Sequence, residues 1–180
     1  MTAAATASQE SLKQHLNVTG GLQLNGTFRV SGAKNSALVL MTASLLTEDC
    51  VELVNIPNLT DICSMSEILE SLGVQVTRDS DRISLTASNL NGSNPPYELV
   101  NSLRASFFSI GPLLGRLGQA KVPLPGGCRI GARPVVEHIR GLKSLGAVVS
   151  VEHGIVNASL PGTRKRLRGA QIVLDCPSVG

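Results

Sequence analysis

The sequence predicts an α/β fold of repeated strand–helix–strand–helix–strand–strand units around buried helices, with two and a half units present. Three observations predict it. Residues 67–77 (EILESLGVQVT) and 140–150 (RGLKSLGAVVS) are alike, and Leu72-Gly73 falls on Leu145-Gly146 at an offset of 73. In both copies an amphipathic helix runs into Leu-Gly, and glycine is favoured just past a helix end. Both copies continue into two short β-branched runs around a turn, at Asp79-Ser80-Asp81 and at His153-Gly154, the mark of a hairpin. Lastly, residues 31–36 and 101–106 each open a mostly apolar helix, with Lys34 and Arg104 at equivalent places. Helices apolar all round are expected to be buried.

Taken in order, residues 1–15 are rich in Ala, Ser and Thr and read as a disordered tail, leaving 16–180 as a partial domain. Residues 28–30 read as a strand that opens a first unit at about 26–90. A helix over 31–46, a strand over 51–55, a helix ending at Leu72 and hairpin strands over 74–77 and 82–86 complete it. The second unit, about 97–160, repeats this order: strand 97–100, helix 101–117, strand 121–124, a helix from Pro134, and strands 148–151 and 155–160. The register is expected to run without gaps from Val51 on Leu124 to Thr77 on Ser150. A strand over 170–175 starts a third unit at 170–180. Stopping there, the chain reads as a fragment, because each unit must bury its faces against neighbours.

Composition narrows the function. The 180 residues carry 16 Lys+Arg against 13 Asp+Glu, a net charge of only +3, with no Trp, one Tyr and three Phe. That argues against a strongly electrostatic nucleic-acid binder and against an aromatic platform for single strands. No run of 18 apolar residues suggests a membrane span, and the N-terminus lacks the pattern of a secretory signal. Cys50, Cys63, Cys128 and Cys176 show no C-x-x-C spacing, and no metal constellation is read from the chain. The expectation is a cytoplasmic protein with reduced thiols.

The loop Pro125-Gly126-Gly127-Cys128-Arg129-Ile130-Gly131-Ala132-Arg133-Pro134 runs straight into a helix. Pro134 suits a first helical position. The free N–H groups there, with Arg133, make an anion site. Two arginines and a helix start also favour the thiolate of Cys128, a group able to exchange a proton near neutrality. A plain Gly-rich turn with a buried cysteine is the alternative on local sequence alone. The equivalent first-unit loop, 56–61, has no thiol and no arginine, so the second carries something the repeat does not require. Lys34 and Asn35 at a helix start read as phosphate or carboxylate binding, or as an ordinary capped start with an exposed lysine. Lys34, Arg104 and Arg133 at three helix starts point to a shared anionic pocket. Asp61 reads as a cap for its helix, Glu137 as a first-turn carboxylate favouring the dipole, and His138 as packing or surface. Cys50 and Cys63 border apolar segments and are expected to be buried. The run 164–168 is a solvated basic loop.

SGAKNS at 31–36, LRAS at 103–106, LPGGCRIGARP at 124–134 and SVG at 178–180 together resemble the UDP-N-acetylglucosamine 1-carboxyvinyltransferase family of enolpyruvyl transferases, from about Leu16 to Gly180. The resemblance implies an inside-out α/β barrel: two similar domains, each of three βαβαββ units around buried parallel helices, with the active site in the cleft between them. This chain then holds part of one domain, and the C-terminal one is missing. The implied reaction moves the enolpyruvyl group of phosphoenolpyruvate onto the 3-hydroxyl of UDP-N-acetylglucosamine and releases phosphate, with no cofactor. Cys128 is implied as proton donor to the methylene carbon. Lys34 is implied to bind phosphoenolpyruvate with Asn35 beside it, and Arg104 and Arg133 to hold anionic groups. Arg133, Pro134, Val135, Val136 and Glu137 are implied to line the nucleotide site, joined by Ser178 and Val179. The chain departs from the pattern at Cys176, where many members have Lys, so one diphosphate contact does not carry over. The carboxylate base is implied to lie beyond Gly180. A shikimate-type enolpyruvyl transferase and a non-catalytic nucleotide-sugar-binding fragment are the alternative readings.

Overall fold

The computed structural model describes residues 17–21, 23–125, 135–163 and 166–175, with backbone alone at 101 and 102. Two helices, α2 (Thr60–Ser71) and α5 (Val136–Ser144), end the same way. After α2, the amide of Val74 donates to Leu69 at 3.0 Å and that of Gly73 to Glu70 at 2.9 Å. After α5, Ala147 donates to Leu142 at 3.0 Å and Gly146 to Lys143 at 2.9 Å. These are two Schellman caps, each satisfying carbonyls that a helix end leaves open. Both require a left-handed residue, and Gly73 and Gly146 supply it at φ 94° and 88°.

A hairpin follows each cap: β2 (Gln75–Asp79) with β3 (Arg82–Thr86), and β5 (Val148–Glu152) with β6 (Ile155–Ser159). The preceding strands, β1 (Cys50–Leu53) and β4 (Gln119–Pro123), add to the far side of β3 and β6. The result is two antiparallel sheets with the same order, β1-β3-β2 and β4-β6-β5. The hairpins hold the expected offset, Ile83 corresponding to Val156. The expected gapless register does not hold. Leu53 pairs with Ile83 and Val122 pairs with Val156, so Leu53 and Val122 are equivalent at an offset of 69, four short of the hairpins. The four extra residues of the second unit lie between its first strand and its second helix, in the loop that carries Cys128.

Helix α1 (Lys34–Ala43) continues into a 3-10 turn, Ser44–Leu46. Its counterpart reverses that order, a 3-10 helix at Arg104–Ser109 leading into α4 (Ile110–Leu117). Lys34 and Arg104 each occupy the first position. One core joins both units: Met41 from α1 and Leu45 from the turn after it, Met65 and Leu69 from α2, Leu113 and Leu114 from α4, and Leu85, Val122 and Val156 from the sheets are all fully buried. Each such side chain contributes about 1.5–3 kcal/mol by leaving water. α1 is not buried all round, however. Val39 is 46% and Leu40 50% exposed, because nothing among the described residues covers that face.

The first strand expected in each unit does not form. Residues 17–21 and 23–30 hold no strand. Phe28 is 85% exposed, and a strand without partner or covered face has nothing to hold it. Residues 97–102 form a short helix, α3 (Tyr97–Ser102). Pro95-Pro96 ahead of it and Glu98 in its first turn are helix-start signals, and Val100 and Leu103, three apart, are both buried. Residues 170–175 carry no regular secondary structure and join neither sheet. Among the described residues no helix is long and apolar enough to cross a membrane.

Gly73 is also pressed against its neighbours: a Cβ there would lie 2.4 Å from the carbonyl oxygen of Asn89. Gly73→Ala combines a left-handed alanine with that overlap and is expected to cost about 2–4 kcal/mol. Gly162→Ala, also at positive φ but with nothing within 4 Å, should lose only about 1–2 kcal/mol. Urea unfolding of the two variants, with equal losses, would contradict this account.

Candidate active site

The start of α1 is placed by a backbone contact. A Cβ on Gly32 would fall 1.8 Å from the carbonyl oxygen of Asn55, so only glycine lets residues 31–33 lie against the backbone just past β1. Asn55 is itself left-handed, at φ 59°, and the next amide, of Ile56, donates to Asp81 at 2.8 Å. These contacts bring the starts of α1 and α2 side by side. There Lys34 Nζ donates to Asp61 Oδ2 at 2.6 Å, both side chains partly open to solvent. Asp61 is therefore not the expected cap. α2 begins at Thr60 with Leu59 in the capping position and no side-chain bond to it, and Asp61 sits inside the first turn. α1 likewise has no side-chain cap. Asn35 is exposed beside Lys34.

Arg104 begins the second unit's buried helix and is half-buried. Its charge reaches His138 on α5. The His138 ring packs edge-on against Phe107 at 5.6 Å and tilted on Phe108 at 6.3 Å. The three rings, with Leu142 and Leu145, border an open apolar pocket of ≈ 230 Å³. Burial first, and the Arg104 charge second, hold His138 below its ordinary pKa of 6.5.

Val135 is in the capping position of α5, Val136 and Glu137 form its first turn, and the Val136 side chain is exposed. Glu137 Oε2 lies 2.9 Å from Arg140 Nη2, one turn on, and accepts the amide of Asp175 at 3.3 Å. Arg140 also pairs with Asp175 and donates to the carbonyl of Val173. Arg140 was not singled out from sequence, although Glu and Arg three apart on a helix are a recognisable pair. The Arg140 guanidinium holds the Asp175 carboxyl below its ordinary range. Cys128, Arg129, Arg133, Pro134, Cys176, Ser178 and Val179 lie outside the described residues. Cys50 and Cys63 are exposed rather than buried. The Cys63 thiol lies 3.5 Å from Arg78 Nη1, because it falls on the solvent side of α2 while Ile62 and Met65 face inward.

Two cationic helix starts, one beside a carboxylate and one beside a packed imidazole, suit the binding of small anions. The lowered His138 pKa has a consequence for stability. Between the folded pKa and 6.5 the unfolded chain binds the extra proton, so His138 contributes fully above pH 6.5 and its contribution is lost as pH falls below it. Melting temperatures from pH 7.5 to 5 should fall more steeply for the natural chain than for His138→Gln. Parallel profiles would refute this.

A family model described as EPSP synthase (3-phosphoshikimate 1-carboxyvinyltransferase) matches residues 18–180. The UDP-N-acetylglucosamine 1-carboxyvinyltransferase of Synechococcus sp. (strain CC9605) is 81% identical over 180 residues, covering 100% of this chain and 42% of the relative. That of Synechocystis sp. (strain ATCC 27184 / PCC 6803 / Kazusa) is 53% identical over 178 residues, 99% of this chain and 40% of the relative. The chain thus spans about two fifths of the length of these relatives. Among solved structures, the enolpyruvyl transferase NikO from Streptomyces tendae aligns with a TM-score of 0.68 at 22% identity, over 83% of this chain and 32% of that one. EPSP synthase from Acinetobacter baumannii aligns at 0.62 and 16% identity, over 86% and 35%. These two likenesses are of fold. Over 18–180 the chain belongs to the EPSP synthase (3-phosphoshikimate 1-carboxyvinyltransferase) family, the enolpyruvyl transferases.

Proposed function

We propose that this chain supplies one wall of an active site that moves the enolpyruvyl group of phosphoenolpyruvate onto the 3-hydroxyl of UDP-N-acetylglucosamine. Phosphate leaves, and the product is committed to peptidoglycan, hence to cell-wall growth, cell shape and division. The supporting observation is the 81% identity, along the whole chain, to a relative bearing that enzyme's name. The place of action is the cytoplasm, and the partners are the two small-molecule substrates and the C-terminal domain.

In this reading the thiol of Cys128 gives its proton to the methylene carbon of phosphoenolpyruvate while the sugar 3-hydroxyl gives its proton to the carboxylate base beyond Gly180 and its oxygen bonds to C2, forming a tetrahedral ketal. Loss of a proton from the new methyl group and of phosphate from C2 restores the double bond. Lys34 and Arg133 meet the phosphate and carboxylate charges, and Arg104 holds anionic groups of the substrates. Asn35 stands beside Lys34. Val135, Val136 and Glu137, with Pro134, Ser178 and Val179, border the nucleotide. The partly exposed Lys34–Asp61 pair supports this assignment, because such pairs are worth only about 0–1 kcal/mol. An anionic substrate can take over the ammonium at small cost. The extra residues around Cys128, absent from the first unit, also support it. The description of the matching family favours a shikimate 3-phosphate acceptor instead, and the named relatives weigh against that.

The test completes the chain beyond Gly180 with the corresponding part of the 81%-identical Synechococcus relative. Phosphate release should require both phosphoenolpyruvate and UDP-N-acetylglucosamine, and Cys128→Ala should lose about 10²–10⁴ in rate, the range of a positioned proton donor. Both substrates together should shield Cys128 from a thiol reagent while the exposed Cys50 and Cys63 react regardless. The 180 residues alone should release phosphate no faster than their own Cys128→Ala variant, since one wall cannot supply orientation worth about 7–11 kcal/mol. Full activity in Cys128→Ala, or a preference for shikimate 3-phosphate, would overturn the reading.

A further inference from the structure

We propose that Arg140 is a positioning residue for the sugar-nucleotide side of the site, fixing the first turn of α5 against residues 173–175. This rests on the nucleotide contacts assigned above to Arg133 through Glu137 and to Ser178 and Val179. Those two groups come from segments far apart in sequence. Glu137 lies four residues after Arg133, and Asp175 three before Ser178.

Within the described residues, side chains rather than a ladder hold these segments together. Residues 170–175 pair with neither sheet. The amide of Arg168 donates to Leu145 at 2.9 Å, anchoring the approach at the far end of α5. Ile172 packs near Gly141, its Cδ1 4.0 Å from where a Cβ would stand. Arg140 then closes the contact. Its two terminal nitrogens reach Glu137, Asp175 and the carbonyl of Val173, and the Asp175 amide returns to the same Glu137 oxygen that Arg140 engages. A planar guanidinium can bridge acceptors in two directions in this way, and a lysine ammonium lacks that fork. The Glu137 carboxylate is thus engaged within the protein. Its part is to hold the 173–175 segment rather than to face the nucleotide with its charge.

The experiment uses the completed enzyme described above. Arg140→Ala should raise KM for UDP-N-acetylglucosamine about tenfold, the scale of one lost charge-assisted network, while kcat and KM for phosphoenolpyruvate stay within about twofold. Arg140→Lys should recover part of the loss. Asp175→Asn, a change at a side chain 76% exposed, should shift the same KM in the same direction. The double variant should be no worse than Arg140→Ala, as expected for two groups in one network. An unchanged KM for the sugar nucleotide in Arg140→Ala refutes the proposal. So does a common fall in kcat and both affinities with a lowered melting temperature, which marks a merely structural residue. A completed enzyme with no transfer at all refutes the reaction and takes this role with it, an outcome distinct from turnover that ignores Arg140.

Discussion

The molecule depends on both ends of α1 being tied, at very different strengths. At its C-terminal end Arg116, from α4 of the other unit, donates to the carbonyls of Leu45 and Thr47 at 3.0 and 2.9 Å and pairs with Glu48 at 3.3 Å. The Arg116 side chain is only 14% exposed, so losing those acceptors would strand a charge out of water, at about 1.5–3 kcal/mol for each charged hydrogen bond. At the N-terminal end the Lys34–Asp61 pair is partly solvated and contributes little. Position there comes instead from the close approach of Gly32 to Asn55. One end of the helix is locked by a buried cation. The other is set by backbone packing, which leaves its lysine free to exchange partners without loosening the fold.

What the sequence disclosed about the fold is what local chemistry determines. Leu-Gly ends and two-residue hairpin turns are decided within a few residues, and the structure forms both at the expected places, with His153 and Gly154 at positive φ. The opening strands failed because a strand is decided by its neighbours. Residues 28–30 and 170–175 are β-rich in pattern but pair with nothing described. At 97–100 the local signal of Pro95-Pro96 prevails over the strand that the repeat predicts.

The site was legible in part for the same reason. Lys34 and Arg104 could be placed at helix starts because the repeat fixes where helices start. That Asp61 would meet Lys34 could not be read, since it follows from how two helix starts are packed, through a glycine whose importance lies in a contact with residue 55. The pairing of Arg140 with Glu137, three residues before it, is legible in the helix spacing, but its acceptors 33 and 35 residues further on are not. The exposure of Cys63 follows from the helical period of α2. Ile62, Met65, Ile68 and Leu69 mark the buried face, and residue 63 falls off it.

The placement of the insertion follows from unequal costs. A one-residue slip in a hairpin would turn every inward side chain of β5 or β6 to solvent, exposing Val149, Val156 and Ala158 together. The repeat therefore keeps its 73-residue spacing through cap and hairpin. A connection between a strand and a helix carries no such constraint. Six residues separate β1 from α2 and twelve separate β4 from α5, and doubling a loop costs only about 0.6 kcal/mol in closure entropy. A repeated unit can thus acquire new chemistry most cheaply where a strand gives way to a helix start, beside the amides that bind anions. Cys128, three glycines and two arginines all lie in that connection.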